Sequence, residues 1–331
     1  MLFVNPSSIM FMFTLILGTF ISISSSSWFI SWVGLELNLI SFIPLMFSKE
    51  NMFSSEATFK YFLIQALGSA ILLMSVSLLL IFGQAPKILI LTSLLLKMGA
   101  APFHFWLPSI MQGISWPSCI ILMTVQKIGP LGLTSYIISS DTLELVMSSS
   151  ILSAILGGIG GLNQTLLRKI MAFSSVAHMG WLLASLTTNS LLWVHYLAIY
   201  SIMSSSLAIF FNYNQAFHVK QLIYMSSSSG NKLMMFMCLL SLGGLPPLLG
   251  FIPKLSVIKE LTYQNNIMWV FILTMSALIT LFFYTRIVLS ALSLTSPKMK
   301  STSLNFNYKL SALAMLNFLP LLFPMMTLMP S

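Results

Sequence analysis

Long apolar runs separated by short polar or Gly/Pro/Ser-rich punctuation make up almost the whole chain. Crossing about 30 Å of hydrocarbon takes roughly 20 apolar residues in an α-helix. Runs of that kind fall near 8–26, 28–48, 58–83, 87–110, 116–139, 145–162, 169–187, 190–215, 232–259, 267–291 and 309–329. The pattern therefore predicts an all-α polytopic membrane protein of about eleven transmembrane helices. The most polar intervals, 214–232 and 292–309, are too short for a domain, so residues 1–331 are expected to form a single transmembrane domain.

Composition points the same way. Of 331 residues 57% are hydrophobic and 6% charged, against roughly 25% charged in a soluble domain, whose surface must face water. Cys119 and Cys238 lie in apolar runs with no CxxC spacing, as small buried hydrophobes do. The four histidines form no HExxH, and there is neither a P-loop nor a GxGxxG after a strand. No cofactor, nucleotide or metal is expected in this chain.

The net charge of +9 is spread over interhelical loops, which speaks against a nucleic-acid partner and for a role in topology. With eleven spans, ten basic residues fall on one side: Lys49, Lys60, Arg168, Lys169, Lys220, Lys232, Arg286, Lys298, Lys300 and Lys309. Lys87 and Lys259 fall on the other. The N-terminus is thus expected on the matrix or cytoplasmic side and the C-terminus opposite. The segment MLFVNPSSIMFMFTLILGTF lacks the basic start of a signal peptide and the Arg-rich pattern of a transit peptide. That fits synthesis inside an organelle or direct insertion in a bacterium, and the Met- and Ser-rich composition favours the organelle.

An internal repeat is visible in the interruptions. Gly99, Pro102 and Pro108 recur as Gly244, Pro247 and Pro253, each shifted by 145 residues. Five spans separate the copies, an odd number, as in an inverted-topology repeat whose broken helices mark a transport site. Two unrelated proline kinks would leave the same residues.

Four charges fall at membrane depth: Glu36, Lys97, Lys127 and Lys254. Each costs at least about 2.5–3.5 kcal/mol at a helix centre, so each must be paired or hydrated inside the bundle. Lys97 precedes Gly99-Ala100-Ala101-Pro102, Lys127 precedes Gly129-Pro130, and Lys254 follows Pro253. Proline removes an N–H and clashes with the preceding turn, freeing carbonyls that survive at membrane depth only beside protein or water. Buried lysines, freed carbonyls and water together make a proton path; static ion-pair glue is the alternative. His104, in APFHFW, and His178, with Ser174 and Ser175 at i−4 and i−3, can bridge lysines through water or serve as packing residues. His195 and His218 are expected to be structural or interfacial. Asp141, Glu144, Glu50, Glu56 and Glu260 belong to loops or span ends.

These stretches carry a resemblance: WVGLELNLISFIPLM (32–46), ATFKYFLIQALGS (57–69), LLKMGAAPFHFWLP (95–108), TVQKIGP (124–130), GGLNQTLLRKIMAFSSVAHMGW (160–181) and SLGGLPPLLGFIPK (241–254). In order and spacing they resemble the subunit 2 family of mitochondrial respiratory complex I (NADH:ubiquinone oxidoreductase), within the wider antiporter-like family. The resemblance covers most of residues 28–260; the last two spans match mainly in hydropathy. It implies that Glu36 is the family's mid-membrane glutamate and Lys97 its paired lysine. It likewise makes Lys127 the central lysine and Lys254 the distal one, with His104 and His178 at the family's histidine positions. Eleven spans match the shortened animal form, which lacks three N-terminal helices of bacterial relatives. The resemblance further implies the mitochondrial inner membrane as location and subunits 4L and 4 as neighbours, on the Glu36 and Lys254 sides. NADH, flavin (FMN), iron–sulfur clusters and ubiquinone would belong to partner subunits, so the chain would be a redox-free part of a translocase.

The expected activity is proton transfer from the matrix to the intermembrane space, coupled to quinone reduction elsewhere in the complex. A carboxylate beside an ammonium favours both charged forms, so separating Glu36 from Lys97 would send the lysine proton toward Lys127 and Lys254. Moving one charge against 100 mV costs about 2.3 kcal/mol, which modest changes in pairing can supply. The rival readings are a stand-alone cation/proton antiporter subunit and a purely structural membrane-arm scaffold.

Overall fold

The computed structural model describes residues 6–48, 51–83, 86–188, 191–224 and 229–293. Among them every regular element is an α-helix, apart from one isolated antiparallel bridge between Leu166 and His218. The chain divides into two compact units, Met1–Ser153 and Ala154–Ser331.

The first unit contains α1 (Pro6–Ser24), α2 (Trp28–Met46), α3 (Met52–Phe82), α4 (Lys87–Met98), α5 (Trp106–Gly113), α6 (Trp116–Met123) and α7 (Val125–Ile137). It also holds the first part of α8 (Ser140–Leu162). Ser27 caps α2, its side chain accepting from the Ile30 N–H at 3.4 Å, which supplies one of the donors a helix start leaves free. α1 and α2 meet backbone to backbone: a Cβ on Gly34 would stand 2.6 Å from the Ser22 nitrogen. Only glycine permits that approach, and helices in lipid pack through such small residues. α7 packs on α1, α4 and α6.

The second unit contains the rest of α8, then α9 (Leu167–Leu186), α10 (Leu192–Tyr213), α11 (Val219–Tyr224), α12 (Ser229–Gly243), α13 (Phe251–Tyr263) and α14 (Ile267–Ser293). α9 packs on α10, α13 and α14, and α12 on α10 and α14. The short α11 occupies part of the interval 214–232 that the sequence reads as loop.

Large apolar side chains face outward along these helices, including Phe13, Phe20, Phe59, Leu278, Phe282 and Leu289. That is the surface of a protein solvated by hydrocarbon, where water would penalise it. The many serines and threonines are accommodated locally. Ser93 donates to the Ile90 carbonyl and Ser185 to the Leu182 carbonyl, each at 2.7 Å, so their hydroxyl protons are satisfied within their own helices.

Seven helical segments among the described residues are long and apolar enough to cross a membrane: Pro6–Ser24, Trp28–Met46, Met52–Leu79, Trp116–Ile137, Ser140–Leu162, Leu192–Tyr213 and Ile267–Ala291. The count of about eleven differs for physical reasons. The fourth and ninth predicted spans are each split into two short helices, α4/α5 and α12/α13. The seventh, α9, is 20 residues long but carries Arg168, Lys169, His178 and three serines. The predicted span 309–329 lies outside the described residues, as do Lys49, Glu50, Lys298, Lys300 and Lys309.

The two breaks share one register. α4 ends at Met98 and α12 at Gly243; α5 starts at Trp106 and α13 at Phe251. All are offset by the 145 residues of the sequence repeat, and Pro108 and Pro253 are each third in the following helix. At both ends a glycine takes positive φ, +70° at Gly99 and +83° at Gly244. The N–H of Ala100 returns to Leu95 O and that of Gly99 to Leu96 O; Leu245 returns to Leu240 O and Gly244 to Ser241 O. This paired closure needs the left-handed conformation that glycine alone adopts without penalty. Pro253 breaks nothing, because the first turn of a helix needs no N–H from it.

Candidate functional site

Burial is the first property that five of the six candidate residues share. Lys97, Lys127 and Lys254 are 7%, 2% and 6% exposed, and His104 and His178 are each 4% exposed. Glu36 is only partly buried.

In the first unit, Lys97 lies in the last turn of α4, where its charge complements the helix C-terminus. Its stem crosses α3 at Gly68, where a Cβ would meet Lys97 Cγ at 3.1 Å. Glu36, on α2, forms no salt bridge with Lys97: among the described residues a salt bridge joins the exposed Lys60 and Glu56 at 2.6 Å. Carbonyls freed by the α4/α5 break find protein donors. Gln65 Nε2 donates to Lys97 O at 3.2 Å and Trp106 Nε1 to Leu96 O at 3.1 Å. Tyr61 then donates to Gln126 Oε1 at 3.2 Å, beside Lys127.

Around Lys127 the break sits elsewhere than the sequence reading puts it. The helix continues through Gly129 and Pro130 and is interrupted at Thr124, between α6 and α7. Pro130 is accommodated inside α7, and the interruption falls six residues before it, upstream of Lys127. Thr124 closes α6 through its own Oγ1, which donates to Ile120 O at 2.7 Å. His104 lies in the α4/α5 link with its ring centroid 4.2 Å from that of Phe105, and its buried Nδ1 has no hydrogen-bond partner.

In the second unit Lys254, one turn into α13, reaches back across the break and donates to Gly243 O at 2.9 Å. The ammonium also stands 6.0 Å from the Trp181 ring centroid, a cation–π geometry. His178 Nδ1 lies 2.9 Å from the Tyr196 hydroxyl. Lys254, His178 and Trp181 line a cavity with Ser276, Thr280 and Tyr284. It offers about 10 Å³ to a water-sized sphere, on the order of one water molecule. The structure thus joins His178 and Lys254 in one polar chamber.

Sequence reasoning missed Gln65, Trp106, Tyr61 and Gln126, which carry no local signature. It also missed the α14 residues, although a four-residue spacing of Ser276, Thr280 and Tyr284 inside an apolar run marks one polar helix face. His195 and His218 are exposed.

Fold and site together define a polytopic α-helical membrane protein with buried lysines at two equivalent helix breaks. The description "NADH:quinone oxidoreductase/Mrp antiporter, TM" matches residues 25–86 and 83–280, and the chain belongs to that family. It is 46% identical over 329 residues to the NADH-ubiquinone oxidoreductase chain 2 of Anopheles gambiae, covering 95% of this chain and 94% of the relative. It is 44% identical to the protein of that name from Aedes aegypti, over 96% of this chain and 95% of the relative. Its fold resembles a chain in the structure of respiratory complex I from Thermus thermophilus with bound aureothin: TM-score 0.81, 22% identity, 95% of this chain and 77% of that one.

Proposed function

We propose that the chain translocates protons as a membrane-arm subunit of mitochondrial complex I, through Glu36, Lys97, Lys127 and Lys254 with His104 and His178 between them. The observation that carries this reading is the burial of three lysines beside helix breaks, in a chain that belongs to a family of quinone oxidoreductases and antiporters. Relatives over 40% identical along nearly their whole length bear the name NADH-ubiquinone oxidoreductase chain 2, which supports the complex I branch over a stand-alone antiporter.

In this reading the two units form one transmembrane domain of about eleven spans. The broken pairs α4/α5 and α12/α13 each cross once and are related as inverted repeats, with the N-terminus in the matrix and the C-terminus in the intermembrane space of the inner membrane. Subunits 4L and 4 are neighbours. NADH, FMN, iron–sulfur clusters and ubiquinone belong to other subunits, and their chemistry supplies the driving force. A change at Glu36 alters the field on Lys97, and the displaced proton passes to Lys127 and on to Lys254.

The test is Lys127→Met in the assembled complex. NADH-driven proton uptake by inner-membrane vesicles should fall while the complex still assembles. Full proton-to-electron stoichiometry in that variant would overturn the assignment, and failure of every charge-neutral variant to assemble would favour the scaffold.

A further inference from the structure

His218, Lys220 and Arg286 meet around a cleft of about 810 Å³ in the second unit. Asn163, Gln164 and Gln221 add amides to its wall, and Leu162 and Ile287 give it an apolar part. Among the described residues no carboxylate lines it, in a chain with 6 acidic residues against 15 basic ones. The charge of Lys220 and Arg286 is thus left for a group outside the chain to balance. The cleft also has the size of a ligand site, roughly 300–1,000 Å³.

Its backbone walls are held in place. The links that precede α9 and α11 are zipped by two bonds, from Leu167 N–H to Phe217 O at 2.9 Å and from Val219 N–H to Thr165 O at 3.0 Å. Gln221 Oε1 accepts from the His218 N–H at 3.0 Å and closes the start of α11. Arg286 donates to Leu162 O, which fixes its guanidinium at the end of α8. A guanidinium carries several N–H donors in a planar fork, so this anchor leaves it able to grip a phosphate through the others. Groups already held in place lose little freedom on binding.

The surroundings of Arg286 select among phosphate carriers. Leu278, Phe282, Arg286 and Leu289 are spaced by four, four and three positions, which puts them on one face of α14. All four are exposed. One cation thus interrupts an outward apolar stripe, on a helix long and apolar enough to cross a membrane. Free phosphate would engage the cation and leave the stripe uncovered. An anionic phospholipid satisfies both, since basic pockets between membrane helices on the Lys/Arg-rich side suit such headgroups.

We propose that this cleft binds an anionic phospholipid, with Arg286 and Lys220 on its phosphate and the outer face of α14 along an acyl chain. The site stands apart from proton transfer, because none of its residues belongs to the path proposed above.

The experiment uses the assembled complex in nanodiscs of phosphatidylcholine that contain a phosphatidylglycerol with a photoactivatable diazirine on its acyl chain. After illumination, peptide mass spectrometry should find the label on α14 between residues 278 and 290. Arg286→Gln and Lys220→Gln should each lower the labelling about fivefold, the equivalent of about 1 kcal/mol for one basic residue at an anionic surface. Lys259→Gln, at an exposed position outside the cleft, should leave it unchanged. Equal labelling by a diazirine phosphatidylcholine, or wild-type labelling in either cleft variant, would overturn the site. Loss of the label in excess inorganic phosphate would overturn the lipid as occupant in favour of a free anion. If Arg286→Gln does not assemble, because Leu162 O loses its donor, Lys220→Gln is read in its place.

Discussion

The ammonium of Lys254 donates to the carbonyl of Gly243 at 2.9 Å, across the seven residues that separate α12 from α13. One side chain thereby serves as proton carrier in the proposed path and as cap for a broken helix. At the equivalent break in the first unit these tasks are divided. Lys97 stands before the break, and Gln65 and Trp106 supply the capping donors.

The two left-handed glycines should respond differently to alanine. A left-handed L-residue costs about 1–2 kcal/mol, so Gly99→Ala and Gly244→Ala should both lower the thermal stability of the assembled complex. The new Cβ in Gly244→Ala would also lie 2.9 Å from Lys254 Nζ, whereas in Gly99→Ala it meets Leu107 and Trp106. Proton uptake should therefore fall further in Gly244→Ala. Equal uptake in the two variants would show that Lys254 is not displaced.

Gln65→Leu removes the donor to the Lys97 carbonyl at a buried break. Leaving a buried carbonyl without that donor costs about 1–3 kcal/mol. Thermal denaturation of the assembled complex should register the loss, and an unchanged transition would mean that water replaces the amide.

Tyr196→Phe removes the hydroxyl that meets His178 Nδ1 at 2.9 Å. A destabilisation of about 1–3 kcal/mol is expected for deleting such a buried contact, again read by thermal denaturation. Because His178 lines the Lys254 chamber, proton uptake should slow as well; uptake at the wild-type rate would assign the pair to packing alone.

Glu36→Gln removes the acidic group of the proposed path. NADH-driven proton uptake should fall at least tenfold, a barrier change of about 1.4 kcal/mol. Glu56→Gln is the control: it breaks only the exposed Lys60 pair, and exposed pairs contribute little. If both variants pump alike, the Glu36 charge is not part of the path.

The class of fold was legible because the solvent dictates it. A chain with 6% charged residues and successive apolar runs has lipid as its only compatible surroundings, and backbone in lipid must close its hydrogen bonds within helices. Glu36, Lys97, Lys127 and Lys254 were legible for the related reason that an ionisable group inside such a run is expensive and rare. The Gly99/Gly244 repeat was legible because a left-handed helix ending demands glycine, which leaves a mark at a fixed offset.

Other features are decided by side chains meeting from distant parts of the chain, and no local rule encodes such meetings. Gln65 and Lys97 are 32 positions apart, and Tyr61 and Gln126 are 65 apart; only the packing of α3 against α4, and the reach of Tyr61 to α7, makes them partners. The interruption at Thr124 was misplaced because Pro130, six residues beyond it, is accommodated inside α7, and a threonine hydroxyl closes α6 instead. Hydropathy alone also counted the split α4/α5 and α12/α13 as continuous spans, since a break leaves the average apolarity unchanged. Sequence thus determined the solvent, the helices and the costly charges, which are properties of residues and their near neighbours. Tertiary structure decided what the Lys254 charge faces: a carbonyl, an aromatic ring and a chamber the size of one water.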